Sequence, residues 1–159
     1  MYDYITKKNW QKVRSRSRSN ARIIATQLGM TLETYKGRAR KYQPDFKVVS
    51  NLGALEGKLD VSCKFGWTLT YRFPDLHITD RVTKWLNGNF STMMFNADFT
   101  QCYLVPGSVI RNSTKITRTV SNYVKLQDEI ETFYSVDPKL CQLWKKVKIG
   151  RKFRWQQMP

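Results

Sequence analysis

The chain has 159 residues, 41% hydrophobic and 13% aromatic, which is enough apolar material for one domain with a real core and excludes a disordered chain. It carries 28 Lys and Arg against 12 Asp and Glu, a formal charge of +16. It has no apolar run of the length that spans a membrane, so a partner rich in phosphate is expected and a membrane is not. The charge is segregated. Residues 1–43 hold 11 cations and two acids, residues 139–159 hold seven cations and no acid, and residues 44–138 hold ten of each sign.

Asp3 is placed to cap a helix that starts at Tyr4 and carries Ile5, Trp10 and Val13. RSRSRS, residues 14–19, is a like-charged run that reads as the end of this helix or as an arm ordered by phosphates. Asn20 then caps a second helix, Ala21 to Leu28, and Gly29 supplies a turn. Thr31 caps a third helix, from Leu32 to about Tyr42, and Pro44 prevents its continuation.

From Phe46 the texture becomes that of strands. FKVV, KLDVSCKFGWTLTYRF, STMMF, QCYLV and SVI are short and rich in β-branched and aromatic residues, with Gly, Pro, Asn and Asp between them. Leu59, Val61, Cys63, Phe65, Trp67, Leu69, Tyr71 and Phe73 alternate with the rest, as in a long strand or a hairpin bent near Gly66 with one buried face. HITDRVTKWLNG, residues 77–88, suggests a short helix. After Arg118 the period lengthens. Tyr123, Leu126, Gln127, Ile130, Phe133 and Tyr134 fit a helix face, as do Leu140, Leu143, Trp144 and Val147 after the Asp137-Pro138 start. RKFRWQQMP is then a basic tail.

The expected fold is α+β. A small basic three-helix unit, 1–43, precedes a neutral, mostly antiparallel β body, 44–138, and a basic helix and tail, 139–159. The three cysteines, Cys63, Cys102 and Cys141, are widely spaced and odd in number, which fits reduced thiols. With a polar N-terminus that lacks an apolar leader, this implies an intracellular, non-secreted protein.

In residues 21–40, Ala25 is a small contact beside Ile24 and Leu28, Gly29 sits in a turn, Met30 is an anchor after it, and Thr31 caps the next helix. This spacing resembles the helix-turn-helix of bacterial and phage DNA-binding proteins, across about an eighth of the chain. The resemblance implies a recognition helix over 32–41. Thr31, Glu33 and Thr34 would lie nearest base edges, and Lys36, Arg38 and Lys41 nearest phosphates. Tyr35 departs from the family's usual β-branched aliphatic, and Gly37 weakens the helix by about 1 kcal/mol against Ala.

Other chemistry is sparse. Arg14, Arg16, Arg18 and Arg22 offer forked donors to phosphate oxygens. Lys145, Lys146, Lys148, Arg151, Lys152 and Arg154 form a second cationic cluster, in which Phe153 and Trp155 either stack on unpaired bases or pack on the core. Asp75, His77 and Asp80 suit a metal-dependent nuclease, but the chain has no second histidine. Cys63, His77, Cys102 and Cys141 lack the close Cys pair of a zinc site. No cofactor motif is present.

The sequence therefore points to a non-enzymatic nucleic-acid-binding protein, with DNA favoured over RNA and a homo-oligomer or larger assembly allowed. The first reading is a helix-turn-helix protein of a phage or mobile element. The second is a structural packaging protein, either a small viral capsid or nucleocapsid protein or a ribosomal protein, whose basic ends hold RNA or DNA without reading it.

Overall fold

RSRSRS does not end a helix; it forms the middle of one. The computed structural model describes residues 7–36, 43–64, 67, 74–122 and 127–159. Its first element, α1, runs unbroken from Lys7 to Gln27. Arg is a good helix former, and Ser17 returns its hydroxyl to the Val13 carbonyl at 2.8 Å. Asn20, expected as a cap, lies inside the helix with its amide on the Arg16 carbonyl at 2.9 Å. Val13, Ser17, Ala21, Ile24 and Leu28 recur at helical spacing, and Ser17, Ala21 and Ile24 are buried.

Gly29 makes the expected turn, with φ +75°. The next element is a strand, β1 (Met30–Glu33), paired antiparallel with β2 (Phe46–Ser50). This overturns the helix-turn-helix and the three-helix unit. The physical reason is periodicity: Leu32 is buried while Thr31 and Glu33 are exposed, the alternation of a half-buried strand. A lone helix over 32–42 would forgo the β2 ladder and carry Gly37 at a cost. The proposed helical stretch at 37–42, like the Asp3 cap, lies outside the described residues.

The remaining strands are β3 (Leu55–Lys64), β4 (Leu76–Thr79), β5 (Phe90–Asn96), β6 (Gln101–Pro106), β7 (Thr114–Asn122), β8 (Gln127–Val136), β9 (Gln142–Ile149) and β10 (Lys152–Gln157). Short 3-10 turns cover Asp80–Trp85 and Pro138–Leu140, and α2 covers Gly107–Arg111. Seven strands form one sheet in the order β1-β2-β3-β5-β6-β9-β10, and β4-β8-β7 form another. Among the described strands, only β3 and β5 pair in parallel.

The expected helices at 123–134 and 140–147 are thus the strands β8 and β9. TFYSV and LWKKVKI hold β-branched and aromatic residues, and they find antiparallel partners in β7 and β10. Tyr123 and Leu126 lie outside the described residues. SVI, expected as a strand, forms most of α2 instead. Residues 77–88 divide between β4 and a 3-10 turn. The alternating run from Leu59 is observed as far as Lys64; most of 65–73 lies outside the described residues, with Trp67 buried. The α+β expectation becomes a mainly β fold with one long helix.

The large sheet must curl. Flat, seven strands would set β1 and β10 about 29 Å apart, whereas a helix is about 10–12 Å wide. Yet α1 reaches both edges. Arg22 donates to the Leu32 carbonyl in β1, and Gln27 Nε2 donates to the Trp155 carbonyl in β10 at 2.7 Å. The sheet therefore wraps α1 as a half-barrel.

β5 is buried on both faces. Met93 and Phe95 face α1 in one core with Phe46, Cys102, Trp144 and Trp155. Phe90 and Met94 face the other way, in a second core with Leu76, Ile78, Val82, Val105, Ile110 and Val136.

Trp155 closes the first core. It is 1% exposed, meets Phe95 edge-on at 5.6 Å, and donates Nε1–H to Asn20 Oδ1 at 3.1 Å. Trp155→Ala should lower stability by about 3–5 kcal/mol in chemical denaturation. A loss under about 1 kcal/mol would mean that Trp155 does not fasten the sheet to the helix.

Candidate nucleic-acid interface

The basic ends are distant in sequence and adjacent in the fold. α1 carries seven Lys and Arg and no acid, and residues 142–157 carry six and no acid. Trp155 joins them through Asn20. Lys146, half-buried with its Nζ 5.4 Å from the Trp155 ring, has its pKa lowered by burial first and then by Arg16.

The arginines of α1 flank its buried stripe. Arg14, Arg18 and Arg22, four residues apart, lie on the β2 side. Arg18 donates Nε and NH2 to Asp45 Oδ1 at 3.2 and 2.8 Å, and Arg14 approaches the same oxygen at 3.8 Å. Arg22 lies over the Phe46 ring at 4.8 Å. Arg16 lies on the opposite flank, 4.7 Å from the Phe99 ring centroid. Each arginine of the Arg/Ser run thus has a carboxylate or a ring beside it, which offsets the repulsion expected of that run.

The C-terminal cluster is a hairpin, β9–β10, turned at Gly150 with φ +63°. Lys145, Lys148, Arg151, Lys152 and Arg154 are exposed. Register divides the cations between two faces. Lys146 and Lys148 share the α1 side with Trp144 and Trp155, while Lys145, Lys152 and Arg154 share the outer face with Val147 and Ile149. Of the two aromatics weighed as base stackers, Trp155 is core and Phe153 is 66% exposed.

Thr31, Thr34 and Lys36 are exposed, on β1 and just after it. They do not lie on a recognition helix. Arg38 and Lys41 lie outside the described residues.

The histidine has a different setting from a metal ligand. Arg118 NH1 lies 2.7 Å from His77 Nδ1. A guanidinium only donates, so Nδ1 accepts. The imidazole pKa is lowered by burial, then by Arg118 and Lys64. Asp75 accepts from Ser135 Oγ at 2.9 Å, and Asp80 opens a 3-10 turn. Lys64 is pushed down to about 8, chiefly by burial and then by Arg118. The cysteines are scattered: Cys102 belongs to the α1 core and Cys141 borders the second core. Burial pushes the Cys63 and Cys141 thiols up to about 12. No group of three or more His, Cys, Asp or Glu able to hold a metal occurs among the described residues.

Sequence reasoning missed one feature. A groove of about 550 Å³ lies between the N-terminal half of α1 and the end of β3, lined by Trp10, Arg14, Arg18, Asp45, Asp60 and Arg81 among others. Asp45 is its hub, since Oδ2 also accepts the Val61 N–H at 2.9 Å. Trp10 and Arg14, four residues apart, were the visible signal, but the strand beneath them was not.

No helix among the described residues is long and apolar enough to cross a membrane. No protein-family model matches the chain, and no curated protein or solved structure matches it significantly.

The Asp60 carboxyl is pushed up to about 8, first by burial and then by Asp45. In the unfolded chain it titrates near pH ~4. A raised folded pKa favours the fold fully below the unfolded value, and this contribution is lost as pH rises through the folded one. Asp60→Asn keeps the side chain neutral. Its urea midpoint should match wild type near pH ~3 and exceed it near pH ~8. Parallel profiles at both pH values would show that Asp60 is not protonated in the fold.

Proposed function

We propose that the protein binds nucleic acid without enzymatic action and without reading its sequence, as a packaging or scaffold protein does. The observation that carries this reading is the convergence of two acid-free basic elements, α1 and β9–β10, on one shared core. Together they hold 13 of the 28 cations, leaving 15 cations against 12 acids elsewhere. Charge gathered this way adds repulsion to burial: the pKa of Lys146 is lowered first by burial and then by Arg16. A polyanion relieves that repulsion and gains the release of its counterions.

The binding groups are of the kind that position without specifying. Half of the exposed side chains of the hairpin are Lys and Arg, suited to phosphate oxygens. Thr31 and Thr34 leave with the recognition helix as base readers.

Affinity for random duplex or single strand should fall steeply with salt. Replacing Lys148, Lys152 and Arg154 with Ala should weaken binding to all sequences alike and reduce the slope of log K against log salt by about 3, one per lost phosphate contact. Recovery of a sequence motif from a random duplex pool, or binding indifferent to salt, would refute this reading.

A further inference from the structure

The geometry points to the groove beside α1 as a site for an unpaired nucleotide of a single strand, its base against Trp10 and its phosphates against Arg14 and Arg81. This rests on the reading that the protein binds nucleic acid, and it names the form of nucleic acid.

Trp10 continues the inward stripe of α1. It lies one turn before Val13, and the later members Ser17, Ala21 and Ile24 are buried. Trp10 alone among these is 47% exposed. The cause is the end of β2. That strand begins at Phe46, opposite Leu59, so β3 runs on from Asp60 to Lys64 without β2 beside it. The groove opens there. A large aromatic on the inward face, over a groove, presents a stacking surface that the protein's own core does not use.

The groove is cationic. Arg14, Arg18 and Arg81 line it, with Asp45 and Asp60 as its carboxyl groups. Asp45 is engaged with Arg18 at 2.8 Å and, more loosely, with Arg14 at 3.8 Å. Burial, and then Asp45, raise the pKa of the Asp60 carboxyl, which disfavours its negative charge. Arg14 stays at the mouth, its guanidinium 5.2 Å from the Trp10 ring centroid, and Arg81 is exposed on the facing 3-10 turn. Excess positive charge next to an aromatic face is the pairing that single-stranded nucleic acid uses.

The backbone adds a polar edge. The Val61 N–H points toward Asp45, so the N–H and C=O of Cys63, two residues on, point the same way. The groove volume, about 550 Å³, lies within the ordinary range for sites that enclose a small ligand. A duplex keeps its base faces stacked and cannot offer one to Trp10, whereas a single strand can.

The test is fluorescence anisotropy on the full chain at about 100 mM salt, with a roughly 12-nucleotide oligothymidylate and a random duplex. Trp10→Ala should weaken the single strand roughly 5- to 100-fold and the duplex less than about 2-fold. Trp10→Phe should retain most of the affinity. Arg81→Ala, distant from α1 in sequence, should also weaken the single strand more than the duplex. Equal losses on both substrates, or no loss in either variant, would overturn the groove while leaving charge-driven binding intact. Failure of the wild-type chain to bind either substrate would remove both readings. Binding of free thymidine monophosphate as tightly as the strand would assign the groove to a mononucleotide and overturn the strand.

Discussion

Everything in this fold hangs on the burial of one helix face inside a curled sheet. The stripe Val13, Ser17, Ala21, Ile24 requires apolar cover along most of its length, and no flat sheet can provide it from both sides. Curling provides it, and Trp155 holds the curl. Its ring fills the α1 core, its indole N–H reaches Asn20, and its carbonyl takes Gln27. Small residues at Ala21 and Ala25 let the sheet come close, and Asn20 is tolerated in the interior because both ends of its amide are used.

That packing arranges the charge. A helix that buries one face must display its other residues along the flanks and back. Here those residues include Arg14, Arg18 and Arg22 on one flank and Arg16 on the other, among uncharged ones such as Gln11, Ile23 and Thr26. Because the last strand pair closes the half-barrel over the same helix, Lys146 and Lys148 come to the helix side, while Lys145, Lys152 and Arg154 face outward. The result is a basic region assembled from two ends of the chain. It is held at a cost in repulsion that the aromatic rings of Phe46, Phe99 and Trp155 and the carboxylate of Asp45 offset in part.

The neutral body is layered differently. β5 carries two cores because its residues alternate between them, with Met93 and Phe95 toward α1 and Phe90 and Met94 toward β4 and β8. This layering leaves β3 longer than its neighbour β2, and the groove is the direct consequence. Asp45 accepts the Val61 N–H where β3 runs beyond the start of β2, and the same carboxylate holds Arg18. One short side chain thus ties the strand end to the helix.

The sequence by itself determined the charge segregation, the strands β2, β5 and β6, the turn at Gly29 and the buried face of Ile24 and Ala25, because each depends on local spacing or on a single residue's freedom. It could not determine the state of MTLETY, TFYSV or LWKKVKI. Their apolar residues satisfy a helical stripe and a strand alternation almost equally, and only the neighbours β2, β7 and β10 decide between them. Nor could it show that Trp155 is core while Trp10 is exposed. Both are tryptophans among cations, and they differ only in whether a strand lies over them. The recognition helix failed for the same reason: Ala25, Gly29 and Thr31 fit its spacing locally, but the hydrogen bonds of a partner strand, distant in the chain, were worth more than a short helix weakened by Gly37.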